Sequence, residues 1–225
     1  MIKAVLFDLD GTLADTALDL GAALNRVLQK HGLPKQPMQA IRPLASHGAS
    51  GLIELGTGIS RDQVEHAALR QEFLDEYELC FADQTVLFAG VNDLLRALAE
   101  KNIKWGIITN KPQRFTDRLV PQLGLEVNPA IVVSGDTTSA PKPSTIPMFY
   151  ACDQIQVAAR DCLYVGDAER DMQAGKNADM HTVLAKWGYI AQTDQIQTWP
   201  VDHSIDHIGQ ILTIVDTLND HAGGR

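Results

Sequence analysis

The sequence predicts an α/β protein: a parallel sheet with helices on both faces, interrupted by an all-helical insertion. Three observations predict it. Short apolar runs alternate with segments of helical periodicity over most of the chain. The runs are short and mostly apolar, as strands covered on both sides are. The stretch from 16 to 82 breaks the alternation, because only helical patterns occur there. The division that follows is a core of 1–15 and 83–225, with a cap of 16–82.

The elements are read in order. Residues 3–9 form the first strand, framed at its end by Asp8 and Asp10. Leu20, Ala23, Leu24, Val27 and Leu28 give 16–30 a helical stripe, which His31-Gly32-Leu33-Pro34 stops. Helical patterns over 37–44, 49–55 and 61–80 complete the insertion. After Gly90 a helix at 91–101 precedes a strand at 103–109, and a helix at 113–122 a strand at 130–133. A helix near 145–153, a strand at 162–165, a helix at 168–178 and a strand at 181–185 continue the pattern. A short strand near 202–204 and a helix at 206–219 close it.

Composition excludes several classes. The chain has 225 residues, a net charge of −9 and a mean hydropathy of −0.08, all ordinary globular values. A pI near 5.1 without a basic cluster argues against nucleic-acid and anionic-membrane partners. No apolar run reaches the roughly 18 residues of a membrane span, and Ala4-Val5-Leu6-Phe7 is too short for a signal core. Cys80, Cys152 and Cys162 are odd in number and lack a Cys-x-x-Cys spacing, so they read as reduced core thiols. The expectation is a cytoplasmic protein, a monomer or a homodimer.

Four polar clusters follow apolar strands: Asp8-Leu9-Asp10-Gly11-Thr12, Thr109-Asn110-Lys111, Lys142 beyond the loop 134–141, and Gly166-Asp167 with Asp171. Each has a plain reading alone, such as a loop carboxylate, a strand threonine, a solvated lysine or a helix first-turn charge. In a parallel sheet the carboxyl ends of the strands converge on one edge, which brings the clusters together. Crowded carboxylates repel one another unless a cation intervenes. Oxygen donors without His or Cys suit Mg²⁺. A lysine and a threonine hydroxyl beside the metal would then bind an anion, and phosphate fits.

Asp8-x-Asp10-Gly11-Thr12-Leu13-x-Asp15, Thr109, Lys142 and Gly166-Asp167-x-x-x-Asp171 resemble, in order, the four motifs of the haloacid dehalogenase superfamily. The resemblance spans essentially the whole chain. It implies a Rossmann-like core with a helical cap of the phosphoglycolate phosphatase type, closing over the site. It also implies roles. Asp8 would be the nucleophile that becomes an aspartyl-phosphate, and Asp10 the general acid–base. Thr109 and Asn110 would bind phosphoryl oxygens. Lys142 would pair with Asp8 and phosphate. Asp8, Asp10 (through its carbonyl), Asp167 and Asp171 would surround Mg²⁺, with Asp171 in direct contact or one layer out. Two departures stand out: Ser144-Thr145 follow Lys142-Pro143 where relatives often have Lys-Pro-x-Pro, and Ala168 replaces a frequent second Asp, which would weaken metal binding.

Asp10 argues against a dehalogenase, and Lys30 and Lys35, beside a Gly-Pro turn, are poor Schiff-base candidates. Leu20 stands where β-phosphoglucomutases carry a His. Hydrolysis of a small phosphorylated metabolite is therefore the expected reaction. The alternatives are a mutase of the same fold and a non-catalytic phosphate-binding homologue. In the cap, Ser46 and His47 lead into a helix and are either substrate residues or caps; Arg42 is a weaker candidate of the same kind. The cap, Thr109-Asn110-Lys111-Pro112 with Phe115, and the segments Trp187-Gly188-Tyr189-Ile190 and Trp199 also resemble N-acetylmuramic acid 6-phosphate phosphatases, so that sugar acid phosphate and phosphoglycolate are the expected substrates.

Overall fold

The computed structural model describes residues 1–223. It opens with β1 (Ala4–Phe7), followed after a turn by a two-residue strand, β2 (Ala14–Asp15). Four helices come next: α1 (Ala17–Lys30), α2 (Met38–Ile41), α3 (Gly48–Thr57) and α4 (His66–Glu78). β3 (Val86–Leu87) pairs antiparallel with β2. This two-stranded ribbon, which the sequence reading lacks, encloses the chain ends of the helical block. The expected helix at 37–44 ends earlier, because Pro43 enters a 3₁₀ segment over Arg42–His47. The expected helix at 61–80 begins only at His66, since Ser60 folds back onto Asp62 and Gln63.

The remainder alternates: α5 (Val91–Glu100), β4 (Lys104–Ile108), α6 (Gln113–Leu119), β5 (Ile131–Val133), α7 (Ile146–Ile155), β6 (Cys162–Gly166), α8 (Glu169–Asn177), β7 (His181–Ala185), β8 (His203–Ile205) and α9 (Gln210–Gly223). The six-stranded sheet is ordered β5-β4-β1-β6-β7-β8, and every pairing is parallel. The chain winds away from β1 in both directions, so β1 lies at the switch point where such sheets hold their ligands.

Alternation along the strands sorts the core. Val5 and Phe7 of β1, with Leu163 and Val165 of β6, join one apolar cluster, while Ala4, Leu6, Cys162 and Tyr164 join the other. Phe7 is in register with Ile107 and Val165, which sets Asp8, Thr109 and Gly166 near one level at the sheet's carboxyl edge. The three cysteines are buried and unbridged. Among the described residues no helix is long and apolar enough to cross a membrane.

Candidate active site

Asp8 continues the parity of Ala4 and Leu6, so its carboxylate emerges on the side where Tyr164 and Lys142 are buried. Lys142 Nζ lies 2.9 Å from Asp8 Oδ1 and 2.7 Å from Asp171 Oδ1, and it donates to the Tyr164 hydroxyl at 2.7 Å. Asp8 Oδ1 is outside hydrogen-bonding geometry despite this close approach, so the contact is an ion pair. Asp171 also accepts from the backbone N–H of Ala168 at the start of α8. Asp167 Oδ2 accepts from the Tyr189 N–H and the Ser46 hydroxyl, each at 2.7 Å, whereas its Oδ1 is buried with no partner.

One oxygen from each of Asp8, Asp167 and Asp171 lies within 4.8 Å of the others. Burial raises the Asp8 carboxyl above its usual range, with Lys142 opposing and Asp171 adding to the rise. Asp167 is pushed up to about 7 by burial and by the charges of Asp8 and Asp171. An orphaned buried oxygen inside an all-oxygen trio fits a hard divalent cation. Gly11 keeps the cradle open. Its φ is +82°, and a Cβ there would lie 2.1 Å from Asp167 Oδ2.

Asp10 belongs to a different pairing. Its Oδ1 accepts from Lys111 Nζ at 2.9 Å, and Lys111 also donates to the Tyr77 hydroxyl of α4 at 2.8 Å. Burial works to raise the Asp10 carboxyl, but Lys111, with Thr16 and Arg170 adding to it, holds Asp10 below the usual carboxylate range. Thr109 is buried, and its hydroxyl accepts from the Lys111 N–H. Asn110 clamps the Lys142 backbone from both sides, each bond 2.9 Å long. Asp8, Asp10, Thr109, Lys111, Lys142 and Asp167 line a cavity of about 910 Å³ between the sheet edge and the helical block.

The family model described as haloacid dehalogenase-like hydrolase matches residues 5–185. The chain belongs to this family. Over 209 residues (93% of this chain, 94% of the relative) the hydrolase is 39% identical to a phosphoglycolate phosphatase of Xanthomonas campestris pv. campestris. Over 215 residues (96% and 95%) it is 35% identical to an N-acetylmuramic acid 6-phosphate phosphatase of Pseudomonas aeruginosa. A haloacid dehalogenase-like hydrolase of Bacteroides fragilis shares the fold with a TM-score of 0.83 at 24% identity, covering 94% of this chain and all 100% of that one.

The hydrolase's cap residues divide. Ser46 meets Asp167, and His47 lines the cavity, where partial burial and then the nearby Arg170 hold its imidazole below its ordinary pKa. Arg42 does not line the cavity. It pairs with Asp15 at 2.7 Å and sits over the Tyr189 ring, because the 3₁₀ segment turns it toward the ribbon. Sequence reasoning gave no role to Arg170, Lys111 or Tyr164. Arg170 NH2 lies 3.9 Å from Asp8 Oδ2, and its Nε is buried without a partner. The parity of β6 is a signal that could have placed Tyr164 on the Asp8 side; nothing in the sequence paired Lys111 with Asp10.

Proposed function

We propose that this phosphoric monoester hydrolase of the haloacid dehalogenase-like family transfers the phosphoryl group of a small phosphorylated metabolite to Asp8 and then to water. The observation that carries the reading is the buried trio Asp8, Asp167 and Asp171, of which Asp8 and Asp171 pair with Lys142 and one Asp167 oxygen is left without a partner. Asp8 attacks phosphorus as the bond to the leaving alkoxide breaks, and Asp10, which enters this step as the carboxylic acid against the pull of Lys111, gives that alkoxide its proton. Asp10 then draws a proton from water, which attacks the aspartyl-phosphate and frees Asp8 and inorganic phosphate. The Thr109 hydroxyl and Arg170 bind phosphoryl oxygens, and Lys142 keeps Asp8 ionised and aimed.

Asp8, Asp167 and the Asp10 carbonyl would hold Mg²⁺. Asp171, whose two oxygens already serve Lys142 and Ala168, supports them from behind. When bound, the ion lowers the charge barrier between a carboxylate and a phosphate. The core is 1–15 with 83–225, the cap 16–82, and the place of work the cytoplasm, where buried thiols stay reduced. Substrates follow the relatives' names: N-acetylmuramic acid 6-phosphate or phosphoglycolate.

Acid quench during turnover, followed by mass analysis, tests the reading. A phosphorylated peptide containing Asp8 is expected, along with stoichiometric inorganic phosphate. Chelator is expected to stop the rate, and Asp8→Asn to lower it by at least about a thousandfold. A product that retains its phosphate at a new position would make the chain a mutase. Full turnover by Asp8→Asn would end the proposal.

A further inference from the structure

The cavity extends well beyond the phosphate site. Helix α4 lies along it, presenting His66, Arg70, Phe73 and Tyr77 at spacings of four, three and four residues, which share one helical face. The helix serves as a ruler. Its Tyr77 end is fixed to the reacting end by the Tyr77–Lys111–Asp10 chain of bonds. Arg70 is seven residues earlier, about 10 Å further along the axis at 1.5 Å per residue. Helical side chains lean toward the N-terminus, which carries its guanidinium further from Asp10.

Of the cations lining the cavity, Lys111, Lys142 and Arg170 are drawn to Asp10, Asp8 and Asp171. Arg61 and Arg70 also line it, and among the described residues neither has a carboxylate partner. His66 beside them is buried, with Nε2 lacking any partner. A buried ring nitrogen without a partner and two guanidinium groups without a carboxylate, lining one cavity in a protein of net charge −9, are an arrangement that an anion completes. Asp194 also lines the cavity; one of its oxygens accepts from the Ala191 N–H. Trp199, half-buried, also lines the cavity and offers apolar surface to a ring.

We propose that Arg61 and Arg70 form a second anion site, so that the substrate is a phosphomonoester carrying a carboxylate at the end remote from its phosphate. This rests on the phosphatase reading and narrows it. A two-carbon acid phosphate has its carboxyl only about 4 Å from phosphorus, three bonds away, and does not span the cavity. A hexose acid phosphate does, and a volume of about 910 Å³ accommodates it.

The test compares kcat/KM of the full chain with Mg²⁺ for N-acetylmuramic acid 6-phosphate, for N-acetylglucosamine 6-phosphate (a similar ring without the carboxylate) and for phosphoglycolate. The acid is expected to exceed the carboxylate-free sugar at least about tenfold, with phosphoglycolate below it. That ratio should collapse toward one in Arg61→Ala/Arg70→Ala, mainly through KM, and return in part with Arg70→Lys. Both arginines are exposed, so folding is not at stake. A ratio near one in the parent, a ratio unchanged in the double variant, or a preference for phosphoglycolate overturns the proposal. Hydrolysis of p-nitrophenyl phosphate reads the phosphatase assignment separately. Should that fail, the ratio of dissociation constants on Asp8→Asn protein, by calorimetry, still decides the anion site.

Discussion

At the residue scale, charge pairing decides what each aspartate can do. Asp8 and Asp10 are two residues apart on one strand end, yet one is pushed up and the other down. The difference comes from their partners. Asp8 is buried beside Asp171, whereas Asp10 has Lys111 to itself. In Lys111→Met the Asp10 carboxyl is expected to titrate at a higher pH than in the parent, followed by carbon NMR of the labelled side chain. An unmoved titration would show that Lys111 does not control it. Arg170 is the other cation near the nucleophile. Arg170→Ala is expected to lower kcat/KM by about 10- to 100-fold while the circular dichroism spectrum stays unchanged.

At the element scale, the helical block is joined to the core by more than its two crossing chains. The Tyr189 hydroxyl accepts from the Thr16 and Ala17 N–H groups and donates to Asp15, so a core side chain caps α1. The Tyr189 N–H simultaneously holds Asp167. Tyr189→Phe leaves those two N–H groups without the hydroxyl and is expected to cost about 1–3 kcal/mol, read by denaturant unfolding. By contrast, Arg42 and Asp15 form a partly exposed pair, so Arg42→Ala should change stability by less than about 1 kcal/mol and leave KM within about twofold. A large rise in KM there would restore Arg42 as a substrate residue.

At the scale of the whole molecule, the carboxylate trio links stability to pH and metal. Asp167 takes its proton more tightly folded than unfolded, so between about pH 4 and 7 the native state binds more protons than the unfolded chain. Its contribution therefore favours folding at low pH and is lost as pH rises through about 7. A divalent cation binds the ionised form, so the rise in Tm on adding millimolar Mg²⁺ should grow from about pH 5.5 to 8. Differential scanning fluorimetry checks it, and an equal shift at both pH values would mean that these carboxylates do not hold the ion.

Local chemistry determined much of this protein. Continuous apolar runs marked strands covered on both faces, Gly32 and Pro34 marked the end of α1, and polar clusters after β1, β4 and β6 marked the reactive edge. These signals were legible because periodicity and strand-end position are properties of neighbouring residues. The β2–β3 ribbon was not, since each strand is two residues long and exists only by pairing with the other across the helical block. Nor were the pairings Lys111–Asp10, Ser46–Asp167 and Arg42–Asp15, which join residues 101, 121 and 27 positions apart. An ion pair or a hydrogen bond depends on distance through space. Only the folded chain fixes which aspartate receives which cation, and so which carboxyl burial pushes up and which a lysine holds down.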